Sequence, residues 1–391
     1  MVAINDTTFG NERNPAGGGM KAPHILTELL RPADVRFNGD RPWDIQVRDP
    51  ELFDQVLRQG SLGFGESYMD GAWESGQLDE TFGRLLGADL QRRITRVAKI
   101  QFAAVYLKNV LTNRQSRRRA FQVGEHHYDI GNDVYTAMLD PTMSYSCGYW
   151  KDAETLEQAQ LAKLRLICDK LELERGEELL DIGCGWGGLA RFASESYGAR
   201  VTGITVSKEQ QKLARERCSG LPVDIRLMDY RELDGQFHKV VSVGMFEHVG
   251  PKNYPAYFGT VDRVLAPDGL FLLHTIGNYD TTHTTDAWID KYIFPNGKTP
   301  SARQLSAAIE PGFIIEDWHN FGQDYDRTLM AWWHNFDAAW PSLADKYGER
   351  FYRMFKYYLN ACAGYFRSRQ GQLWQLVLSK RSRRAVYRSI R

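Results

Sequence analysis

The chain has 391 residues, 43% of them hydrophobic and 25% charged, with 49 Lys plus Arg set against 49 Asp plus Glu. That length exceeds one ordinary domain and the composition is that of a soluble globular protein, so two domains are the expectation. No run of about 18 apolar residues occurs, and Met1-Val2-Ala3-Ile4-Asn5-Asp6 lacks the basic-then-apolar layout of a secretory signal, which argues against a spanning helix and for a cytoplasmic protein.

In chain order, residues 1–22 are polar and glycine-rich at Gly17-Gly18-Gly19 and are expected to form a disordered leader. Residues 23–120 alternate short helical patterns with turns and predict a small, mainly helical N-terminal domain carrying one or two strands. A helix is expected over Pro50–Arg58 behind Asp49, a plausible N-cap, and Gly63-Phe64-Gly65-Glu66-Ser67 is expected to break the pattern.

The balanced net charge hides an uneven distribution. No acid lies between Asp89 and Glu125, whereas Arg92, Arg93, Arg96, Lys99, Lys108, Arg114, Arg117, Arg118 and Arg119 do. Ile94, Val97, Ile100, Ala104, Leu107 and Leu111 keep helical spacing among them, an amphipathic basic helix that suits an anionic membrane surface or the flank of its own domain. A second acid-free stretch follows Glu349 and closes in Lys380-Arg381-Ser382-Arg383-Arg384. No nucleic-acid recognition module accompanies these residues.

Residues 121–391 read as an α/β domain. Helices at 156–171, 187–197 and 207–218 alternate with strands at 178–182, 200–205 and 223–227; further strands are expected at 240–245, 270–275, 313–318 and 373–379. Seven strands separated by helices make a doubly wound sheet, with ligands outside the carboxyl ends of the strands. Two connections are long: 277–300, with Trp288, Tyr292 and Phe294, and 320–371, with Tyr325, Trp332, Trp333, Phe336 and Trp340. These aromatic insertions are read as walls of an apolar pocket. The five cysteines, Cys147, Cys168, Cys184, Cys218 and Cys362, show no paired spacing for zinc or disulfides, so reduced thiols and no metal are expected.

The stretch Leu179-Leu180-Asp181-Ile182-Gly183-Cys184-Gly185-Trp186-Gly187-Gly188 is a buried strand that ends in close-spaced glycines, the arrangement by which α/β folds receive a nucleotide. The following strand ends in Thr205-Val206-Ser207, without the acid that grips an NAD ribose. Asp181 and the compact Gly183-x-Gly185-x-Gly187 core look instead like the S-adenosylmethionine (SAM) loop of class I methyltransferases, a Rossmann-like seven-stranded fold.

Beside that loop stand His127-Tyr128-Asp129-Ile130-Gly131-Asn132-Asp133, Tyr145-Ser146-Cys147-Gly148-Tyr149-Trp150, Gly244-Met245-Phe246-Glu247-His248-Val249-Gly250, Leu273-His274-Thr275-Ile276-Gly277 and Asn360-Ala361-Cys362-Ala363-Gly364. In that order they resemble the bacterial cyclopropane-fatty-acyl-phospholipid synthases, closely over about residues 125–381 and more loosely in the small domain. The resemblance implies transfer of the SAM methyl carbon to the cis double bond of unsaturated acyl chains in membrane phospholipids, with closure of a cyclopropane ring. It implies a bicarbonate ion as base, held by Cys147, Glu247, His274, Tyr325 and the backbone at Ile276, and it adds Cys362 to the catalytic set. For SAM it brings Tyr145 and Ser146, then Asp181, Gly183 and Gly185, then Thr205 and Gln210, and Asp229 with Tyr230 near the adenine. A homodimer, peripheral on the anionic inner face of the membrane with the small domain engaging lipid, is also implied.

The chemistry fits these residue types. An isolated alkene is a weak nucleophile, so the sulfonium methyl must be aligned with it and a carbocation then tolerated. Aromatic faces stabilise a cation without attacking it, and a dry pocket keeps water away. A bicarbonate O–H can donate to the Glu247 carboxylate while His274 and Tyr325 supply hydrogen bonds, so Glu247 is expected to orient the ion and not to be the base. Thr205 stands where methyltransferases usually carry an acid, and ribose recognition is expected to pass to Gln210. A thiol has no obvious step in this reaction, so Cys362 is the least explained member of the set. More ordinary roles exist for each residue: buried cysteines usually serve as small hydrophobes, a strand-end histidine is commonly structural, and Glu247-His248 could cap a helix. Methylation of an acyl chain without ring closure, and N-methylation of a small amine, use the same cosubstrate and are the alternatives.

Overall fold

The computed structural model describes residues 22–88, Leu90, 131–282 and 284–391. The leader up to residue 21, the basic helix expected at 94–111 and the motif residues His127–Ile130 lie outside the described residues.

The small domain comprises α1 (His24–Leu30), α2 (Glu51–Gln59), α3 (Ser61–Met69) and α4 (Leu78–Gly87), with β1 (Gln46–Val47) paired antiparallel to β2 (Trp73–Glu74). Asp49 does start α2, because its carboxylate accepts the Glu51 amide at 2.9 Å. The expected break at Gly63–Ser67 is not there: α3 runs straight through it. The glycine at 65 answers to packing, since a Cβ on it would sit 2.3 Å from the Trp288 indole of the first insertion. Helix propensity, which disfavours glycine by about 1 kcal/mol, yields to that close approach.

The larger domain follows with α5 (Asn132–Met138), α6 (Leu156–Lys170), β3 (Glu178–Ile182), α7 (Gly188–Tyr197), β4 (Arg200–Thr205), α8 (Lys208–Arg217), β5 (Val223–Leu227), β6 (Phe237–Val243), α9 (Tyr254–Val264), β7 (Leu265–Asn278), α10 (Ala287–Tyr292), α11 (Ala302–Ile309), β8 (Phe313–Asn320), α12 (Asp324–Tyr347), α13 (Glu349–Arg367) and β9 (Gly371–Lys380). The seven expected strands are all present; the fourth begins three residues earlier and the fifth is longer at both ends than the sequence pattern indicates. They form one sheet in the order β5-β4-β3-β6-β7-β9-β8, parallel except where β9 runs antiparallel between β7 and β8. The strands are apolar on both faces because both are covered: on β7, Leu270 and Leu272 pack with α6 and α7 residues, Phe271 and Leu273 with α9 residues. Strand order reverses at β3, so the crevice between the ends of β3 and β6 is where a ligand belongs.

The two insertions are helical. The first carries α10 and the second is α12 followed by α13. They share one continuous core with the small domain. Tyr357 of α13 sits among Tyr68 at 5.5 Å and Phe82 at 5.0 Å between ring centres. Next to it Arg353 donates to the carbonyls of Tyr68 (2.6 Å) and Trp73 (3.0 Å) and to Glu74 (2.8 Å). The buried guanidinium thus satisfies the small domain's β2 backbone from the outside.

Replacement of Gly65 by valine would force the α3 backbone off the Trp288 ring, and overpacking of this kind costs about 2–3 kcal/mol. Gly65→Val is expected to lower the thermal midpoint measured by circular dichroism, whereas Ala at the open, positive-φ Gly71 is expected to cost less.

Candidate active site

A cavity of about 1030 Å³ opens at the carboxyl ends of β3, β4, β5, β6 and β7 and runs between the insertions to the small domain. Of the residues singled out from sequence, Tyr145, Ser146, Asp181, Gly183, Gly185, Thr205, Gln210, Asp229, Tyr230, Glu247, Ile276, Tyr325 and Cys362 line it. Cys147 and His274 do not; both are fully buried behind its wall.

At one end the loop after β3 turns on Gly183 at φ +87° and Gly185 at φ +54°, a left-handed conformation that L side chains rarely adopt, and nothing lies within 4 Å of the Cβ that Gly185 lacks. That open space beside the backbone fits a nucleoside cosubstrate. After β4, Thr205 Oγ1 donates to Gln210 Oε1 at 2.8 Å and accepts the Ser207 amide at 3.1 Å. After β5, Asp229 is held by Arg231 at 2.9 Å, whose guanidinium also lies 4.6 Å over the Tyr230 ring. Tyr230 OH is buried with no hydrogen-bond partner among the described residues.

Sequence reasoning missed the groups that hold Tyr145–Trp150 in place. Gln160 Nε2 on α6 donates to the Ser146 carbonyl at 2.9 Å, and Lys163 Nζ, one turn on, donates to Ser146 Oγ at 2.9 Å. From α12, Asp324 accepts the Trp150 amide at 2.7 Å, while Thr328 Oγ1 accepts the Gly148 amide at 3.0 Å and the Trp150 indole at 2.8 Å. The available signal was spacing: Gln160 and Lys163 are three apart and Asp324 and Thr328 four apart, so each pair shares one helix face. Cys147 Sγ touches the Gly148 carbonyl at 3.1 Å, and burial, with Asp324 adding to it, holds its thiol neutral.

Further along, Glu247 follows β6. Its Oε1 accepts the Ile276 amide at 2.6 Å, while Oε2 is buried without a partner among the described residues. Burial raises its pKa, against the pull of the Ile276 amide. His274, on β7, is held by Gln375 of the adjacent β9: Gln375 Nε2 lies 3.2 Å from Nδ1, an arrangement in which the amide donates and the ring proton sits on Nε2. Nε2 has no partner among the described residues. Burial drives His274 well below its ordinary pKa, and Lys163 and Lys170 add to the effect. Tyr325 packs on Phe366 at 4.5 Å, its phenol kept neutral by burial, with Cys147, Glu247 and Cys362 as the ionisable groups that act on it. Glu247 Oε2 and His274 Nε2 are thus buried polar atoms without a partner among the described residues, and together with the neutral Tyr325 phenol they are an acceptor and two donors of the kinds that a small protonated oxyanion such as bicarbonate would need.

The remaining wall is aromatic and apolar. Tyr145 and Tyr358 join their hydroxyls at 2.7 Å, Tyr357 and Phe366 extend the surface, and the small domain adds Phe64, Phe82, Leu85, Leu86 and Leu90. Cys362 lines this part; burial pushes its thiol up to about 12, with Asp286 adding to it, which leaves no thiolate nucleophile near neutral pH. All five cysteines are free, and no cluster of metal-ligating side chains exists among the described residues.

A model of the mycolic acid cyclopropane synthetase family matches residues 115–376. The cyclopropane-fatty-acyl-phospholipid synthase of Escherichia coli K12 is 57% identical over 358 residues, covering 91% of this chain and 93% of its own. A probable fatty acid methyltransferase of Pseudomonas putida is 35% identical over 86% of both chains. Among solved structures, the mycolic acid cyclopropane synthase CmaA1 complexed with SAH and CTAB superposes with a TM-score of 0.62 at 32% identity, over 66% of this chain and 98% of its own. Coclaurine N-methyltransferase reaches a TM-score of 0.68 over 81% of this chain and 98% of its own at 20% identity, a likeness of fold alone. These neighbours place the larger domain in the class I SAM methyltransferase fold.

The buried imidazole has a consequence for stability. The unfolded chain binds a proton on this histidine below its ordinary pKa of about 6.5, and the folded chain does not, so its contribution is present above that pH and lost below it. At pH 5.5 one such group costs on the order of 1 kcal/mol. Denaturant unfolding at pH 7.5 and 5.5 is expected to show wild type losing about that much more than His274→Gln; equal losses would contradict it.

Proposed function

The chain belongs to the mycolic acid cyclopropane synthetase family, and from that premise we propose that it is a cyclopropane-fatty-acyl-phospholipid synthase. It transfers the methyl carbon of SAM to the cis double bond of an unsaturated acyl chain in a membrane phospholipid and closes the ring. The observation that carries this reading is the single cavity that joins the glycine loop to Glu247 and to a long aromatic and apolar wall, a shape suited to a nucleoside at one end and an acyl chain at the other.

Bound SAM supplies an electrophilic methyl carbon, and bound bicarbonate supplies the base for the proton that this carbon later loses. The chain's own residues align, shield and orient. Tyr145 and Ser146, the loop Asp181, Gly183 and Gly185, then Thr205, Gln210, Asp229 and Tyr230 would hold the cosubstrate with its methyl turned toward the alkene. The faces of Tyr145, Tyr325, Tyr358 and Phe366 stabilise the cation left on the acyl chain and admit no nucleophile. Glu247, His274, Tyr325, Cys147 and the Ile276 backbone would hold the oxyanion. The electron pair freed with the proton closes the second carbon–carbon bond. A carboxyl raised by burial lessens the repulsion that an anion beside Glu247 would otherwise meet. Cys362 contributes to the apolar wall and to no bond-making step.

No described helix is long and apolar enough to cross a membrane, so the lipid must come to the cavity. The small domain's Phe64, Phe82, Leu85, Leu86 and Leu90 border it, which supports a role for residues 23–120 in engaging the acyl chain. Peripheral attachment of a cytoplasmic homodimer to the anionic inner membrane face completes the proposal; it draws on the basic residues between Arg92 and Arg119 and on the family resemblance.

The test is mass spectrometry of fatty acids from cis-unsaturated phospholipid vesicles after incubation with the protein, isotopically labelled SAM and bicarbonate. Gain of one labelled CH₂ in a ring is the expected result, and a methyl-branched product would overturn ring closure. Glu247→Gln keeps the Ile276 bond but removes the carboxyl. It is expected to cut turnover by about 100-fold while SAH affinity, read by calorimetry, stays unchanged; full activity would remove Glu247 from the oxyanion set.

A further inference from the structure

Lys163 is a cation in an unusual position. It is 2% exposed, yet it borders the cavity beside Ser146, Asp181 and Gly183. An ammonium has three protons to give, and among the described residues only Ser146 Oγ receives one, at 2.9 Å. Asp140, the acid that acts on it most strongly, has both oxygens engaged by Thr142 and Ser144 in its own turn. Asp181 acts on it too, but without ion-pair contact. That carboxylate, 2% exposed at the end of β3, has no side-chain hydrogen bond among the described residues.

Buried charges are ordinarily paired or fully hydrogen-bonded. Here a cation and an anion, each short of partners, border the same cavity next to the glycine loop. Burial pushes the carboxyl up to about 7, partly offset by Lys163, and the ammonium down to about 8, partly offset by Asp140, Cys147 and Asp181. A ligand that brings both a carboxylate and an ammonium would satisfy both groups, which is the chemistry of an α-amino acid. The nucleoside end of SAM has its own candidates in Thr205, Gln210, Asp229 and Tyr230. Its amino-acid end needs a cation; besides Lys163 the cations lining the cavity are Arg231, which is engaged with Asp229, and Lys298, whose backbone amide donates to the Glu247 carbonyl and so places it at the Glu247 end.

We propose that Lys163, aided by Ser146, binds the carboxylate of the methionine portion of SAM, with Asp181 facing its ammonium. The proposal rests on the SAM reading of the cavity. Gln160 serves it indirectly, by fixing the Ser146 backbone so that the hydroxyl and ammonium converge on one point.

The experiment is calorimetry with three ligands: S-adenosylhomocysteine, its decarboxylated analogue, and methylthioadenosine, which lacks the amino-acid end. Wild type is expected to bind S-adenosylhomocysteine at least about tenfold more tightly than the decarboxylated analogue, as a lost charge-assisted contact predicts. Lys163→Met is expected to erase that preference while methylthioadenosine binding stays within about twofold. Equal affinity of wild type for the first two ligands overturns the proposal even if the variant does not fold, and so does an equal loss of all three in a folded Lys163→Met. Failure of wild type to bind methylthioadenosine and S-adenosylhomocysteine alike would instead remove the SAM reading on which it rests.

Discussion

Burial with few compensating partners sets the charge of the side chains around the cavity, and the rest of the site depends on it. Carboxyl, thiol and phenol groups are raised and imidazoles lowered wherever water is excluded. Glu247, Cys147, Cys362, Tyr325, His248 and His274 all move toward their neutral forms, with burial the largest cause in each. A reaction that passes through a cation on a hydrocarbon chain benefits from such a wall. Neutral phenols and thiols are weak nucleophiles, and aromatic faces offer negative potential without a lone pair aimed at carbon. Within this wall Glu247 Oε2 and Tyr230 OH, and His274 Nε2 behind it, are buried without partners among the described residues.

Dryness in turn depends on how the small domain is attached. A methyltransferase sheet alone would leave the ends of α12 and α13 against solvent. Here α13 presents Tyr357 and Arg353 to the small domain while Tyr358, Ala361, Cys362 and Tyr365 of the same helix line the cavity. One helix therefore closes the domain interface on one side and forms the wall on another, and a shift at the interface is transmitted to the wall because packed cores are poorly compressible. Arg367 reinforces the joint by pairing with Asp79 and Glu80 of α4 and with Asp326 of α12.

The sheet was legible in the sequence because buried strands and amphipathic helices obey two different periods, and seven strands with three helices alternating among the first of them leave little choice. The glycine loop was legible because its residues act within one turn of backbone. The supports of Tyr145–Trp150 were not, since Gln160, Lys163, Asp324 and Thr328 are polar residues on helices whose partners lie up to 180 positions away. Gln375 was hidden for the same reason: it reads as one more residue of a strand until β9 is seen to run antiparallel beside His274. Gly63–Ser67 misled because glycine marks both a chain reversal and a close contact, and only the Trp288 ring 220-odd residues on tells which.

Thr205 shows how a local departure can be resolved physically. An acid at the end of β4 would offer acceptors to a ribose. Thr205 Oγ1 accepts the Ser207 amide, so its own proton must go elsewhere, and it goes to Gln210 Oε1. That bond fixes which way the Gln210 amide points: the oxygen is used, and the NH₂ group is the part left for a ligand. The end of β4 therefore presents a neutral donor where an acid would present a charged acceptor. A second buried carboxylate close to Asp181 would raise both pKa values further by mutual repulsion, and the neutral pair at Thr205 and Gln210 spares Asp181 that repulsion.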